Sequence, residues 1–174
     1  DPPDAIEAVT RGELDLAVVH DWQNAPLALP ESLSRTAVGE DVADVVLPAG
    51  HPLADRDALV PADLAHERWI CQPPGTICHD WLIKTFRGAG VEPDQAFRIG
   101  EYQTQLALLA RGIGVALLPR LGRGPLPGNV RAVALHPTPT RRVFAVWRSQ
   151  ASRRPAIRAA IASVKGCWEL RDTA

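Results

Sequence analysis

Methionine is absent from all 174 residues, position 1 included, which leads us to expect a piece excised or processed from something longer. No apolar run approaches the ~20 residues needed to cross a bilayer. No basic-then-apolar segment opens the chain as an export signal would. Cysteine is scarce: Cys71, Cys78 and Cys167 are odd in number and form no C-x-x-C. That argues against a disulfide framework or a zinc knuckle and for reduced, structural thiols in a cytoplasm. The signatures G-x-S-x-G, P-loop, G-x-G-x-x-G and H-E-x-x-H do not occur. The five histidines are scattered, so neither a metal site nor a cofactor is expected.

What is present is ordinary in bulk. Hydrophobic residues make up 46% and charged residues 22% of the chain, as in a soluble globular protein. The length allows a real core, in one domain or two small lobes. The net charge of −1 hides an uneven spread: residues 1–70 carry fourteen acids and four Arg (−10), residues 71–174 six acids and fifteen Arg or Lys (+9). Such polarity points to two surfaces that meet, within the chain or between subunits. It does not suggest a nucleic-acid domain, since no basic-aromatic interleaving accompanies it.

One move is made twice. "TRGELDLAVVHD" (10–21) and "ARGIGVALLPR" (110–120) both end a helical pattern at Arg-Gly and then start a small-apolar run. Around them the chain alternates helices with strands. A helix opens at Asp1-Pro-Pro and runs to Arg11, with Gly12 as its stop. Residues 14–19 read as a strand buried on both faces, of the parallel-sheet kind. Extended pieces follow at 33–38 and 42–47, separated by Gly39-Glu40-Asp41, and then a loop with a short helical turn leads to a strand at 69–71. Thr76 is placed to cap a helix bearing Ile77, Trp81, Leu82 and Phe86 on one stripe. Strands are expected at 96–99, 115–118, 130–135 and 142–147, and a helix at 102–111. A last helix from about Pro155 carries Ile157, Ile161, Val164 and Trp168 on one face. The class is α/β. Two such lobes, each needing an abrupt helix stop before a central strand, account for the repeated Arg-Gly unit and leave a cleft for a small ligand.

Five segments carry a resemblance: "GELDLAVV" (12–19), "VLPAGHPLA" (46–54), "ADLAHERWI" (62–70), "EYQTQLALLARGIGVALLPR" (101–120) and "RRVFAVWR" (141–148) with its closing helix. In this order and spacing the chain resembles the effector-binding domain of LysR-type transcriptional regulators. The resemblance implies two Rossmann-like lobes of the periplasmic-binding-protein type joined by two crossover segments. It implies residues 1–42 and 148–174 in lobe I and 43–147 in lobe II, with a small-molecule effector bound between them. It further implies a cytoplasmic homodimer or homotetramer that meets DNA only through an N-terminal helix-turn-helix domain not present here. The family's opening strand-helix-strand is also missing, because Asp1 falls at what looks like the second helix. On that reading the strand at 14–19 loses a sheet neighbour and exposes a hydrophobic edge. Either the sequence is part of a longer chain, or that edge is covered by rearrangement or by a partner.

Ligands of open α/β folds sit at strand C-terminal ends and helix N-termini. Three stretches qualify: His20, Asp21 and Trp22; Pro74, Gly75 and Thr76; and Gly100, Glu101, Tyr102 and Gln103. The resemblance places effector contacts in the same three regions. Each stretch also has a purely structural reading: Thr76 as a cap, His20 and Trp22 as loop residues, Glu101 as a solvated first-turn acid. The free N–H groups of the helix that starts at Thr76 suit an anion whereas Glu101 suits a donor, so the ligand's charge stays open. No catalytic residues are expected. His20 and Asp21 are sequence neighbours on extended chain and point to opposite faces, and Cys78 and His79 lie about 100° apart on a helix. The alternatives are a transporter's solute-binding protein and, behind it, a two-lobed α/β enzyme.

Overall fold

The computed structural model describes residues 1–172, with side chains through 168. The chain divides into two compact units, one formed by residues 1–40 with 141–174 and the other by 41–140.

The first unit begins with α1 (Pro2–Arg11), whose Pro residues occupy the first turn, where a missing N–H costs nothing. Ile6 and Val9 are its buried stripe, and Gly12 at φ 83° ends it in the left-handed conformation that glycine tolerates best. The next strand, β1 (Leu16–Trp22), lies antiparallel to β8 (Thr140–Arg148), from Leu16 opposite Trp147 to Trp22 opposite Arg141. Ile6, Val9, Ala17, Val19, Leu33, Phe144 and Val146 form the core of this unit. Arg148 ties it together: one guanidinium nitrogen donates to the carbonyls of Val9 (2.9 Å) and Leu14 (2.7 Å), the other to Asp15 (2.8 Å). The Val9 carbonyl at the α1 terminus, which also accepts the Gly12 amide at 3.1 Å, thus gains a charged donor. The final helix, α5 (Pro155–Asp172), buries Ile157 and half-buries Ile161, Val164 and Trp168. That is the expected stripe, and the Trp168 indole lies so close over Gly39 that no side chain fits there.

The strand expected at 14–19 is displaced and differently placed. It starts at Leu16, continues through Trp22, and has an antiparallel neighbour instead of parallel ones. It is also not buried on both faces: Leu14 and Val18 are 43% and 50% exposed while Ala17 and Val19 are buried. A run of small apolar residues fits a one-sided strand as well as a two-sided one, and only the neighbours decide between them.

The second unit is built on the far half of β2 (Leu33–Pro48), a single long strand where two pieces are expected. No residue in the Gly39-Glu40-Asp41 stretch takes a positive φ, so extended backbone runs through it. Ala43, Val45, Val46 and Leu47 are fully shielded, and this part of β2 is paired on both edges. It runs antiparallel to β6 (Ala116–Pro119) on one side and to β7 (Val130–Leu135) on the other. A two-residue strand, β3 (Ala58–Leu59), read as loop in the sequence, joins β7 in parallel. A separate parallel pair comprises β4 (Arg68–Cys71) and β5 (Asp94–Arg98), and Trp69 bridges in parallel to Val115 at the mouth of β6. Two helices follow the parallel strands, α2 (Ile77–Gly88) after β4 and α3 (Tyr102–Leu109) after β5. The core unites Val46, Ile70, Leu106, Leu109, Ala116, Leu118 and Val130. Gly112, at φ 76°, repeats the role of Gly12, and the two Arg-Gly turns lie in different units.

After β6 the chain makes the four-residue helix α4 (Arg120–Arg123), unforeseen in the sequence. It is held from β2. The Asp44 carboxylate, on a side chain only 4% exposed, accepts from Arg120 Nε and Nη2 (2.8 Å each) and from Arg123 Nη1 (2.7 Å). Asp41 accepts the Leu121 amide at 3.1 Å, satisfying a first-turn N–H. Asp44→Ala is expected to lower unfolding free energy by about 2–4 kcal/mol, since it strands a largely buried Arg123 charge along with Arg120. Urea denaturation measures this, and a loss under about 0.5 kcal/mol, the level of an ordinary surface change, contradicts it.

Candidate functional site

In the second unit the C-terminal ends of β4 and β5 open at one edge, with Cys71 opposite Arg98. Each strand feeds a helix through a short turn, and the turns are clipped together where Gln72 Nε2 donates to the Gly100 carbonyl at 3.0 Å. In the first turn Gly75 sits at φ 88°, and Pro74 and Gly75 are exposed. Thr76 is the expected N-cap: its Oγ1 accepts the His79 amide at 3.3 Å and donates to the Pro73 carbonyl at 2.8 Å. In the second turn Glu101 stands at the N-cap of α3 without capping it, and its carboxylate accepts the Thr104 hydroxyl at 2.8 Å.

Tyr102 links the two helix starts. Its hydroxyl lies 3.9 Å from Cys78 Sγ in the first turn of α2, and the Cδ2–Cε2 edge of its ring packs against Gly122 of α4, where an added Cβ would fall 2.6 Å from ring carbon Cε2. Beside it Gln103 Nε2 donates to the Arg123 carbonyl at 3.1 Å. Beneath, buried Gln105 donates to the Ile99 carbonyl and holds the turn down. The structure thus brings Pro74, Gly75, Thr76, Gly100, Glu101, Tyr102 and Gln103 into one neighbourhood. Gln72, Cys78, Gln105 and Gly122 belong there too and were missed. Of these only Gln105 left a trace in the sequence, as a polar residue on the buried stripe of α3.

His20, Asp21 and Trp22 lie in the first unit, in β1 itself and not in a loop after it. Asp21 is fully shielded and accepts two bonds from Arg142, from Nε at 3.0 Å and Nη2 at 2.8 Å, with the Leu27 amide at 3.4 Å. Trp22 is 1% exposed, and its backbone exchanges hydrogen bonds with Ala25. His20 stands edge-on to Trp22 with ring centroids 6.3 Å apart, and the Arg141 guanidinium lies 6.0 Å from the Trp22 ring. Burial first, and then the Arg141 charge, lower the His20 pKa from 6.5 to about 4, against the opposing pull of Asp21. At neutral pH this imidazole is therefore uncharged, with one nitrogen to donate and one to accept. Cys78 and His79 are not a catalytic pair: His79 Nε2 bonds Gln95 Oε1 at 2.9 Å while Cys78 faces Tyr102. Burial pushes the Cys71 thiol pKa up, which disfavours the thiolate. Among the described residues no three His, Cys, Asp or Glu side chains are grouped to hold a metal ion.

Two expectations follow. Gly122→Ala overpacks the Tyr102 seat and costs about 1–3 kcal/mol, which urea denaturation reads. Tyr102→Ala in the same chain empties the seat and recovers most of that loss, and an additive double variant contradicts the contact. For His20, the folded pKa lies below the unfolded 6.5, so protonation favours the unfolded chain. Its contribution is complete above pH 6.5 and is lost as pH falls toward about 4. His20→Gln should flatten thermal midpoint against pH over that window, and an unchanged slope counts against the shift.

Comparison with known proteins identifies the fold. The model of the LysR substrate-binding domain matches residues 1–167. The small neutral protease regulatory protein of Streptomyces coelicolor is 36% identical over 110 residues, covering 62% of this chain and 32% of the relative, so the chain spans about a third of that relative's length. The C-terminal domain of a probable LysR family regulator from Rhodococcus sp. RHA1 superimposes with a TM-score of 0.75 at 29% identity, covering 93% of this chain and 79% of the other. The CcmR regulatory domain of Synechocystis PCC6803, solved in complex with 2-PG, gives a TM-score of 0.81 at 16% identity over 96% of this chain and 79% of that one. The expected α/β fold of the two-lobed periplasmic-binding-protein type is therefore the fold this chain has. With its model matched across nearly every residue, the chain belongs to the LysR substrate-binding domain family.

Proposed function

We propose that this chain is the effector-sensing domain of a cytoplasmic transcriptional regulator, acting as a homodimer or homotetramer, with DNA reached through a separate N-terminal domain. The family is one of regulatory rather than catalytic domains, which sets the enzyme reading aside. Family members bind small-molecule effectors and oligomerise. Among the described residues no helix is long and apolar enough to cross a membrane.

The observation that carries the reading is the convergence of two helix starts on one strand edge, with Tyr102 Oη 3.9 Å from Cys78 Sγ and Gln72 bonded to Gly100. A small molecule lying there meets the first-turn N–H groups of α2 and α3, the Tyr102 hydroxyl and the Glu101 carboxylate. Likeness to a domain solved with 2-PG bound supports a small metabolite as the occupant. Such a ligand acts by preferring one of two arrangements of the regulator and shifting their populations.

The test is thermal-shift screening with small organic acids, amino acids and aromatic compounds. A true effector present at about 100 times its Kd stabilises by about 2.7 kcal/mol, which moves the midpoint of a domain this size by roughly 5–10 °C. It is recovered unchanged, and Tyr102→Ala reduces the shift. Turnover of the compound, or an undiminished shift in Tyr102→Ala, overturns the reading.

A further inference from the structure

At the opposite end of β4 and β6 from the edge just described, the second unit contains a cavity of about 290 Å³, lined by Pro48, His51, His66, Glu67, Arg68 and Ile113 with glycine backbone on either side of Ile113. Its floor is bare because no side chain is possible at Gly114: an added Cβ would collide with the Arg68 carbonyl, where the Val115 amide already donates at 2.9 Å.

The polar groups on its wall are fixed but not used up. His51 Nδ1 accepts the Leu53 amide at 3.2 Å. The neutral ring therefore carries its proton on Nε2, which lies 3.2 Å from Glu67 Oε2. That contact occupies one carboxylate oxygen and holds the group in place. Arg68 is its chain neighbour and lines the same cavity, yet the two form no ion pair. Instead the guanidinium lies over the Phe97 ring, 5.3 Å from its centroid. Stacking covers a face of the guanidinium and leaves its N–H edges open, the geometry that recognises a carboxylate. The cavity is thus lined by one acidic and one basic residue that do not pair with each other, beside an apolar wall of Pro48 and Ile113.

We infer that this cavity is a second ligand site, suited to a compact zwitterion of the α-amino-acid type. The ligand's carboxylate meets Arg68, its ammonium meets Glu67, and its side chain lies along Pro48 and Ile113. A ligand bearing one charge satisfies one wall and leaves the other desolvated, which costs affinity.

The test is amide NMR titration of the 174-residue chain with glycine, L-alanine and L-leucine, and with acetate and ethylammonium as single-charge controls. At least one amino acid should shift the amides of His51, Glu67, Arg68, Gly112, Ile113 and Gly114 saturably, while neither control saturates. Glu67→Gln and Arg68→Gln should each weaken binding about tenfold or more. Three results overturn the proposal: no saturation by any of the three amino acids up to about 50 mM, well above a millimolar Kd; shifts confined to the turns at 72–78 and 99–103; or acetate saturating the same amides as tightly. The comparison on the unaltered chain decides the matter even if a variant fails to fold.

Discussion

Asp44 lies in the middle of β2, among neighbours that water does not reach, where an unpaired carboxylate would cost several kcal/mol. Its solution is to draw in two guanidinium groups from a helix of only four residues, a segment too short to hold its own shape. With α4 pinned, Gly122 leaves room that a side chain would fill, and the edge of the Tyr102 ring packs there. Tyr102 in turn faces the first turn of α2. The candidate site is thus held through a chain of contacts that begins with a buried charge and runs through a glycine to Tyr102.

The same kind of pairing explains the lopsided charge of the chain. Asp15 and Asp21, from its acidic part, meet Arg148 and Arg142 from its basic part within the first unit. Asp44 meets Arg120 and Arg123 within the second. Strands drawn from distant parts of the sequence lie side by side, and their charges were apportioned accordingly. Of the two places where such surfaces could meet, these pairs lie within one chain. The pairs of the first unit are partly open to water, with Arg142 46% and Asp15 67% exposed, so they fix register more than they add stability.

Local features were legible in the sequence wherever a residue type decides backbone geometry by itself. Gly12 and Gly112 stop their helices, Thr76 caps α2, and the stripe of α5 faces inward as its spacing implied. What escaped depends on partners remote in sequence. The extent of β1 depends on pairing with β8, which begins more than a hundred residues later. The unbroken course of β2 depends on β6 and β7, and α4 depends on Asp44. The site shows the same division. Its turns could be located from strand ends and helix starts, and seven of the ten candidate residues do share one neighbourhood. Gln72 and Gly122 could not be found, because nothing in their own sequence context says that Gly100 and Tyr102 will lie beside them.

The distribution of tryptophan gives the molecule built-in optical reporters. Trp22, Trp69 and Trp81 are all shielded, at 1%, 0% and 4% exposure, the first in one unit and the other two in the second. The remaining indoles, Trp147 and Trp168, belong to the first unit. Replacing Trp69 and Trp81 by phenylalanine leaves emission from the first unit alone, and the complementary replacement leaves only the second. Whether the halves melt as one body or in sequence then becomes a matter of colour, read without any added dye.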